Sequence, residues 1–67
     1  MKNYIIEEDY ANTRIDRWFK RVVSGVPQSF IEKNIRKGNI RVNNKRIKSS
    51  YKLTINDEIT IKRNYAH

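Results

Sequence analysis

The chain has 67 residues, with 15 Lys and Arg against 7 Asp and Glu, a net charge of +8 and a pI near 10.1. That bounds it to one small domain of modest stability, and a hydrophobic share of 37% suffices for a core. With no Cys and with His67, the last residue, as its one His, it offers no disulfide framework, thiolate zinc site, thiol nucleophile or His-based triad.

Tyr4-Ile5-Ile6-Glu7 is a short β-prone run. From Thr13 the period becomes helical: Ile15, Trp18, Phe19, Val22 and Val23 fall at i, i+3, i+4, i+7 and i+8 and form one apolar face. Asn12 or Thr13 is the expected N-cap, and Asp16 is placed to pair with Lys20 four residues on. Arg14, Arg17 and Arg21 form a separate stripe. Either it is offered to an anion or its long stems shield the core edge.

Ser24-Gly25-Val26-Pro27 ends this helix, and Ser29-Phe30-Ile31-Glu32 then matches a capping box. A second helix is expected over 30–37, with Phe30, Ile31 and Ile35 inward, Lys33, Arg36 and Lys37 outward, and Gly38 as a left-handed C-cap. Arg36 and Lys37 suit contact with an anion, and equally a helix C-terminal dipole.

Beyond Gly38 the period is two. Ile40 and Val42 alternate with Arg41, Asn43-Asn44 suits a tight turn, and Lys45-Arg46-Ile47 returns as the second arm of a hairpin. Ile40, Val42 and Ile47 would face the core, leaving Arg41, Lys45, Arg46 and Lys48 largely to solvent. Tyr51, Leu53 and Ile55 lead to a last strand, Glu58-Ile59-Thr60-Ile61-Lys62. Trp18, Phe19 and Phe30 read as core, and Tyr51 as core or base-stacking.

Charge follows this order. Residues 1–13 sum to −2, residues 53–67 to zero, and residues 14–52 hold twelve Lys and Arg against Asp16 and Glu32, a sum of +10. A polyanion is the natural partner for such a segment, and nucleic acid is the commonest one.

Three runs carry a resemblance: Arg14-Ile15-Asp16-Arg17-Trp18-Phe19, Gly25-Val26-Pro27-Gln28-Ser29, and Ile35-Arg36-Lys37-Gly38-Asn39-Ile40-Arg41-Val42-Asn43. With Tyr51-Lys52-Leu53 and Asp57-Glu58-Ile59, they resemble the S4 RNA-binding domain from about Tyr4 to Lys62. The words G-V-P-Q-S, I-R-K-G and V-N-x-K-R-I-K are most similar to the S4 domain at the N-terminus of bacterial large-subunit pseudouridine synthases of the C type. The resemblance implies an α+β fold, the alpha-L arrangement of two short helices packed on a small, mainly antiparallel sheet, with residues 1–67 as one domain. Where the family often has Gly, this chain has Asn12, Asn44 and Asn56, the residue type that best replaces Gly at left-handed φ.

It also implies an RNA-holding accessory to a separate catalytic domain. The expected RNA contacts are Arg14, Arg17, Lys33, Arg36, Lys37, Arg41, Lys45 and Arg46, with Asn43 at the hairpin tip. Gln28 and Ser29, at the start of helix two, offer a phosphate seat, unless the Ser29 hydroxyl is used in its capping box. Arg14-Ile15-Asp16 looks like the signature around a synthase's catalytic Asp. It opens an amphipathic helix without a surrounding pocket sequence, so no catalytic residue is assigned.

The expected partners are ribosomal RNA, 23S in particular, and a C-terminal catalytic domain of the parent chain. No cofactor or metal is expected, the state is a monomer, and a free-standing small S4 protein on the ribosome is the alternative. No apolar run approaches the roughly 20 residues of a membrane span, and the acidic Glu7-Glu8-Asp9 does not suit a secretory signal, so a cytoplasmic location is expected. The ending Asn64-Tyr65-Ala66-His67 carries no basic tail, which favours a fragment of a longer enzyme over the free-standing protein.

Overall fold

The computed structural model describes residues 2–23 and 25–62. The readings of Ser24 and of the Asn64–His67 ending fall outside them. Three strands, β1 (Lys2–Ile5), β2 (Ile40–Val42) and β3 (Glu58–Ile61), form a sheet in the order β1-β3-β2, with both pairings antiparallel. Helices α1 (Ile15–Val22) and α2 (Gln28–Arg36) pack on each other, and α2 also packs on β2. This is the expected α+β arrangement.

β3 is the central strand, covered from both edges, and is the most buried of the three. Ile59 and Ile61 are buried, and so is Thr60, between Asn3 of β1 and Arg41 of β2. The core is Ile6, Ile15, Trp18, Phe19, Val23, Ile31, Ile35, Ile40, Val42, Leu53, Ile59 and Ile61. Tyr4 of β1 meets Trp18 edge-on with ring centroids 5.2 Å apart, so the edge strand and α1 share an aromatic contact.

Neither Asn12 nor Thr13 caps α1. The segment before the helix lies against residues 51–53: the Asn12 N–H donates to the Leu53 carbonyl, the Leu53 N–H to Thr13, and the Ile15 N–H to Tyr51. Extended backbone pairing carries the chain to Arg14, which takes the N-cap position with no side-chain capping bond. The tertiary partner supplies the acceptor that a capping side chain would otherwise provide.

The capping box also fails to form. Pro27, with extended backbone (ψ 156), is the N-cap of α2, and its carbonyl accepts from the Phe30 and Ile31 N–H groups. Helix two therefore begins at Gln28, two residues earlier than expected, and Ser29 falls inside its first turn. Glu32 accepts instead from Gln28 Nε2 at 2.9 Å.

Two expected core residues lie at the surface. Val22 is 36% exposed at the end of α1, where Val23 takes the buried place, and Phe30 is 38% exposed. Ile31, Asn34 and Ile35 form the buried face of α2, leaving Phe30 one position outside it. The Asn34 amide, polar in an apolar stripe, donates to the Phe30 carbonyl and accepts from Asn39 Nδ2. Ile55 is likewise exposed.

Asn43 and Asn44 both have positive φ (52° and 64°), as a primed two-residue turn requires. The hairpin reaches only the Val42–Lys45 bridge, though, because β2 pairs along its length with β3 and the returning arm leaves as a loop. Ile47 still packs against the core. Asn12 and Asn56 also have positive φ (68° and 73°), as their replacement of Gly implies.

The turn before β3 is held by the buried Asp57. Its Oδ2 accepts from the Thr54 N–H (2.9 Å) and the Tyr51 hydroxyl (2.8 Å), and its Oδ1 from Asn43 Nδ2 (3.0 Å). Burial pushes this carboxyl up, but the three donors outweigh it and hold it below the ordinary carboxylate value. The bond to Asp57, with burial and the negative charge, raises Tyr51 above the usual phenol value. A lowered folded-state pKa stabilises above the unfolded value of about 4 and loses that contribution as pH falls through the folded one; a raised one stabilises below about 10 and is lost as pH rises. Asp57→Asn is therefore expected to melt below the wild type at pH 7, with the gap closing as pH drops below about 4. Thermal melts across pH 2–8 check this; a gap independent of pH would contradict it.

Candidate nucleic-acid interface

Two of the seven acids, Asp16 and Asp57, are buried, and Glu32 and Glu58 are held by amide donors. Asp16, only 5% exposed, accepts from Arg14 Nη2 (3.0 Å) and Gln28 Nε2 (2.9 Å) at Oδ2, and from the Arg17 N–H (2.7 Å) at Oδ1. It is paired with Arg14 and not with Lys20, because Arg14 turns back over the first helical turn toward an acid already fixed by backbone and amide donors. Glu32 is bonded to Gln28, Asp57 to its three donors, and Glu58 to Asn3 Nδ2 at 3.0 Å. Among the described residues, Arg14–Asp16 is the one salt bridge. The other basic side chains among the described residues have no salt-bridge partner.

The expected site residues divide accordingly. Arg17, Lys33, Arg36, Lys37 and Lys45 are exposed and have no hydrogen-bonded side-chain partner among the described residues. Ser29 is exposed too, and its hydroxyl is not used as a cap. Gln28 is half-buried and bridges two carboxylates, so it ties α2 to α1. The Asn43 side chain is spent on Asp57 and on the Glu58 N–H.

Arg41 is half-buried, not left to solvent: its Nε donates to the Gly38 carbonyl at 2.9 Å, just as Arg46 Nη2 donates to that of Lys37 at 3.1 Å. Both therefore cap the C-terminal end of α2, where cations are favoured. There the Gly38 N–H donates to the Ile35 carbonyl and the Asn39 N–H to that of Asn34, closing a Schellman turn around Gly38 at φ +81°.

Two clusters of cations result. Arg14, Arg17 and Arg21 line an open depression beside the Asp9–Thr13 turn, and Arg14 and Arg17 line another with Lys20 and Gln28. Arg41 and Arg46 converge on Gly38. Sequence reasoning left Lys20 and Arg21 out of the contact set, although the spacing of Arg14, Arg17 and Arg21 already placed Arg21 on the stripe.

Comparison with known proteins agrees with this chemistry. The S4 domain family matches residues 13–59. This chain belongs to the S4 domain family. It is 48% identical over 56 residues to ribosomal large subunit pseudouridine synthase C of Buchnera aphidicola, covering 84% of this chain and 18% of that protein. The synthase C of Escherichia coli K12 is 46% identical over 61 residues, 91% of this chain and 19% of that one, and that of Vibrio vulnificus 45% identical over 56, 84% and 18% respectively. The chain thus spans under a fifth of the length of these relatives. No solved structure matches it. The family and the relatives' names support an RNA-binding module, and among the described residues no helix is long and apolar enough to cross a membrane.

Structural and solvent-facing charges should separate by stability. Asp16→Ala leaves three donors without their acceptor and is expected to cost about 1–3 kcal/mol. Arg17→Ala and Lys33→Ala should each change stability by less than about 0.5 kcal/mol. Urea unfolding of the three variants measures this, and equal costs would contradict the division.

Proposed function

We propose that this domain docks ribosomal RNA, 23S in particular, for a pseudouridine synthase whose catalytic domain lies outside these 67 residues. The observation that carries the reading is the set of cations left uncompensated from α1 to the turn after β2, on a domain similar to part of synthase C. Lys and Arg neutralise phosphates and release counterions, and folded RNA is read largely through its shape, phosphates and 2′-hydroxyls. Arg17, Lys33, Arg36, Lys37 and Lys45 supply exposed charge. Arg41 and Arg46 supply guanidiniums already held in place.

Arg14 and Gln28 support the surface by fixing Asp16 between the helices, and Asn43 by fixing the turn. Ser29, with a free hydroxyl in the first turn of α2, remains available to a phosphate oxygen. Asp16 is engaged by three donors and serves the fold rather than uridine isomerisation. The domain works as a monomer, and its chemistry is supplied by the partner domain.

With about five phosphate contacts, binding to 23S fragments should weaken with salt at a log–log slope of roughly −3 to −5. Fluorescence anisotropy at several KCl concentrations gives the slope, and a value near zero would defeat the reading. Incubated with unmodified 23S RNA, the domain alone is expected to form no pseudouridine.

A further inference from the structure

We infer that Arg41 and Arg46 act together as a seat for a single backbone phosphate, with Gly38 as the positioning residue that lets them converge. The inference rests on the RNA-binding reading above and specifies where and how one phosphate is held.

The geometry is that of a fixed pair. A Cβ at position 38 would stand 2.8 Å from Arg46 Nε, 3.2 Å from Arg46 Nη2 and 3.3 Å from Arg41 Nη2. Both guanidiniums thus reach the same small volume, the one vacated by the missing side chain. Each is anchored by one N–H to a carbonyl at the end of α2, and the remaining guanidinium N–H groups have no hydrogen-bonded partner among the described residues.

Like charges this close repel, and the helix terminus offers only about half an elementary charge in return. No acid among the described residues is paired with either arginine. The arrangement therefore retains excess positive charge at one point. A phosphate, whose oxygens accept from guanidinium N–H groups at about 2.8 Å, is small enough to touch both. Pinning the side chains beforehand lowers the ordering cost of the grip.

Lysine keeps the charge and loses the fork. Arg41→Lys and Arg46→Lys are each expected to weaken binding of a 23S fragment about tenfold. The double variant should be little weaker than either single one, because both arginines serve one phosphate. The salt slope should stay unchanged, since no charge is removed. Lys2→Arg, on strand β1 and outside the proposed RNA surface, should bind within about twofold of the wild type.

A fourth variant covers any loss of folding through the helix cap. Gly38→Asn tolerates the left-handed backbone but places a Cβ among the guanidiniums, and it should lose affinity like the double variant while its melt stays cooperative. If the wild type binds RNA and both Lys variants match it, the seat is wrong and the RNA reading stands. Additive losses in the double variant also overturn the shared phosphate. If the wild type binds no RNA fragment, the underlying reading fails and the seat falls with it.

Discussion

The chain must stop a helix and start a strand within three residues, and Gly38 in the left-handed conformation is what permits it. From that turn follow the Schellman bonds to Ile35 and Asn34, the side-chain clasp between Asn34 and Asn39, and the entry of Ile40 into the sheet opposite Ile61. The Lys62 N–H closes on the Asn39 carbonyl, so the end of β3 is held by the same corner. A Cβ at position 38 would meet the Arg46 and Arg41 guanidiniums, and residues other than Asn or Asp would also strain the left-handed backbone. The corner that organises the fold is thus also the corner where cations gather.

A small domain cannot carry a +10 segment unless its few acids are used with economy. Here Asp16 and Asp57 are buried and each receives three hydrogen bonds, so they join elements rather than screen the surface. Asp16 joins α1 to α2 through Gln28, and Asp57 joins the turn at Asn43 to the loop at Tyr51 and Thr54. The cationic face is in this sense a by-product of how the interior is tied. Stability and affinity for a polyanion draw on the same choice of partners.

The sequence made much of this legible because most of the fold is encoded locally. Period-two and helical patterns located both helices and the three strands, though not the short 3-10 turn at Glu8–Tyr10, and the Asn residues at family Gly positions foretold their positive φ. Several misreadings arose where an unforeseen partner displaced the expected one. Residues 51–53 replaced the N-cap of α1, and Gln28 took Asp16 and Glu32 from Lys20 and Ser29. β3 took the whole of β2 and cut the local hairpin to one bridge. Arg41 and Arg46 were legible as basic residues. That both would turn back onto one helix end depends on the path of a loop, which no spacing rule contains.

The central claim is that RNA is held on the cationic surface running from α2 through the turn after β2. The most direct measurement is a map of backbone amide and arginine Nε–H chemical shifts of the ¹⁵N-labelled domain as a 23S fragment is added. The account predicts saturable changes concentrated between residues 33 and 46 and on the exposed arginines of α1, with β1 and the turn at Ile55 and Asn56 nearly silent. Changes centred on β1 and that turn, or spread evenly over the domain, would contradict it.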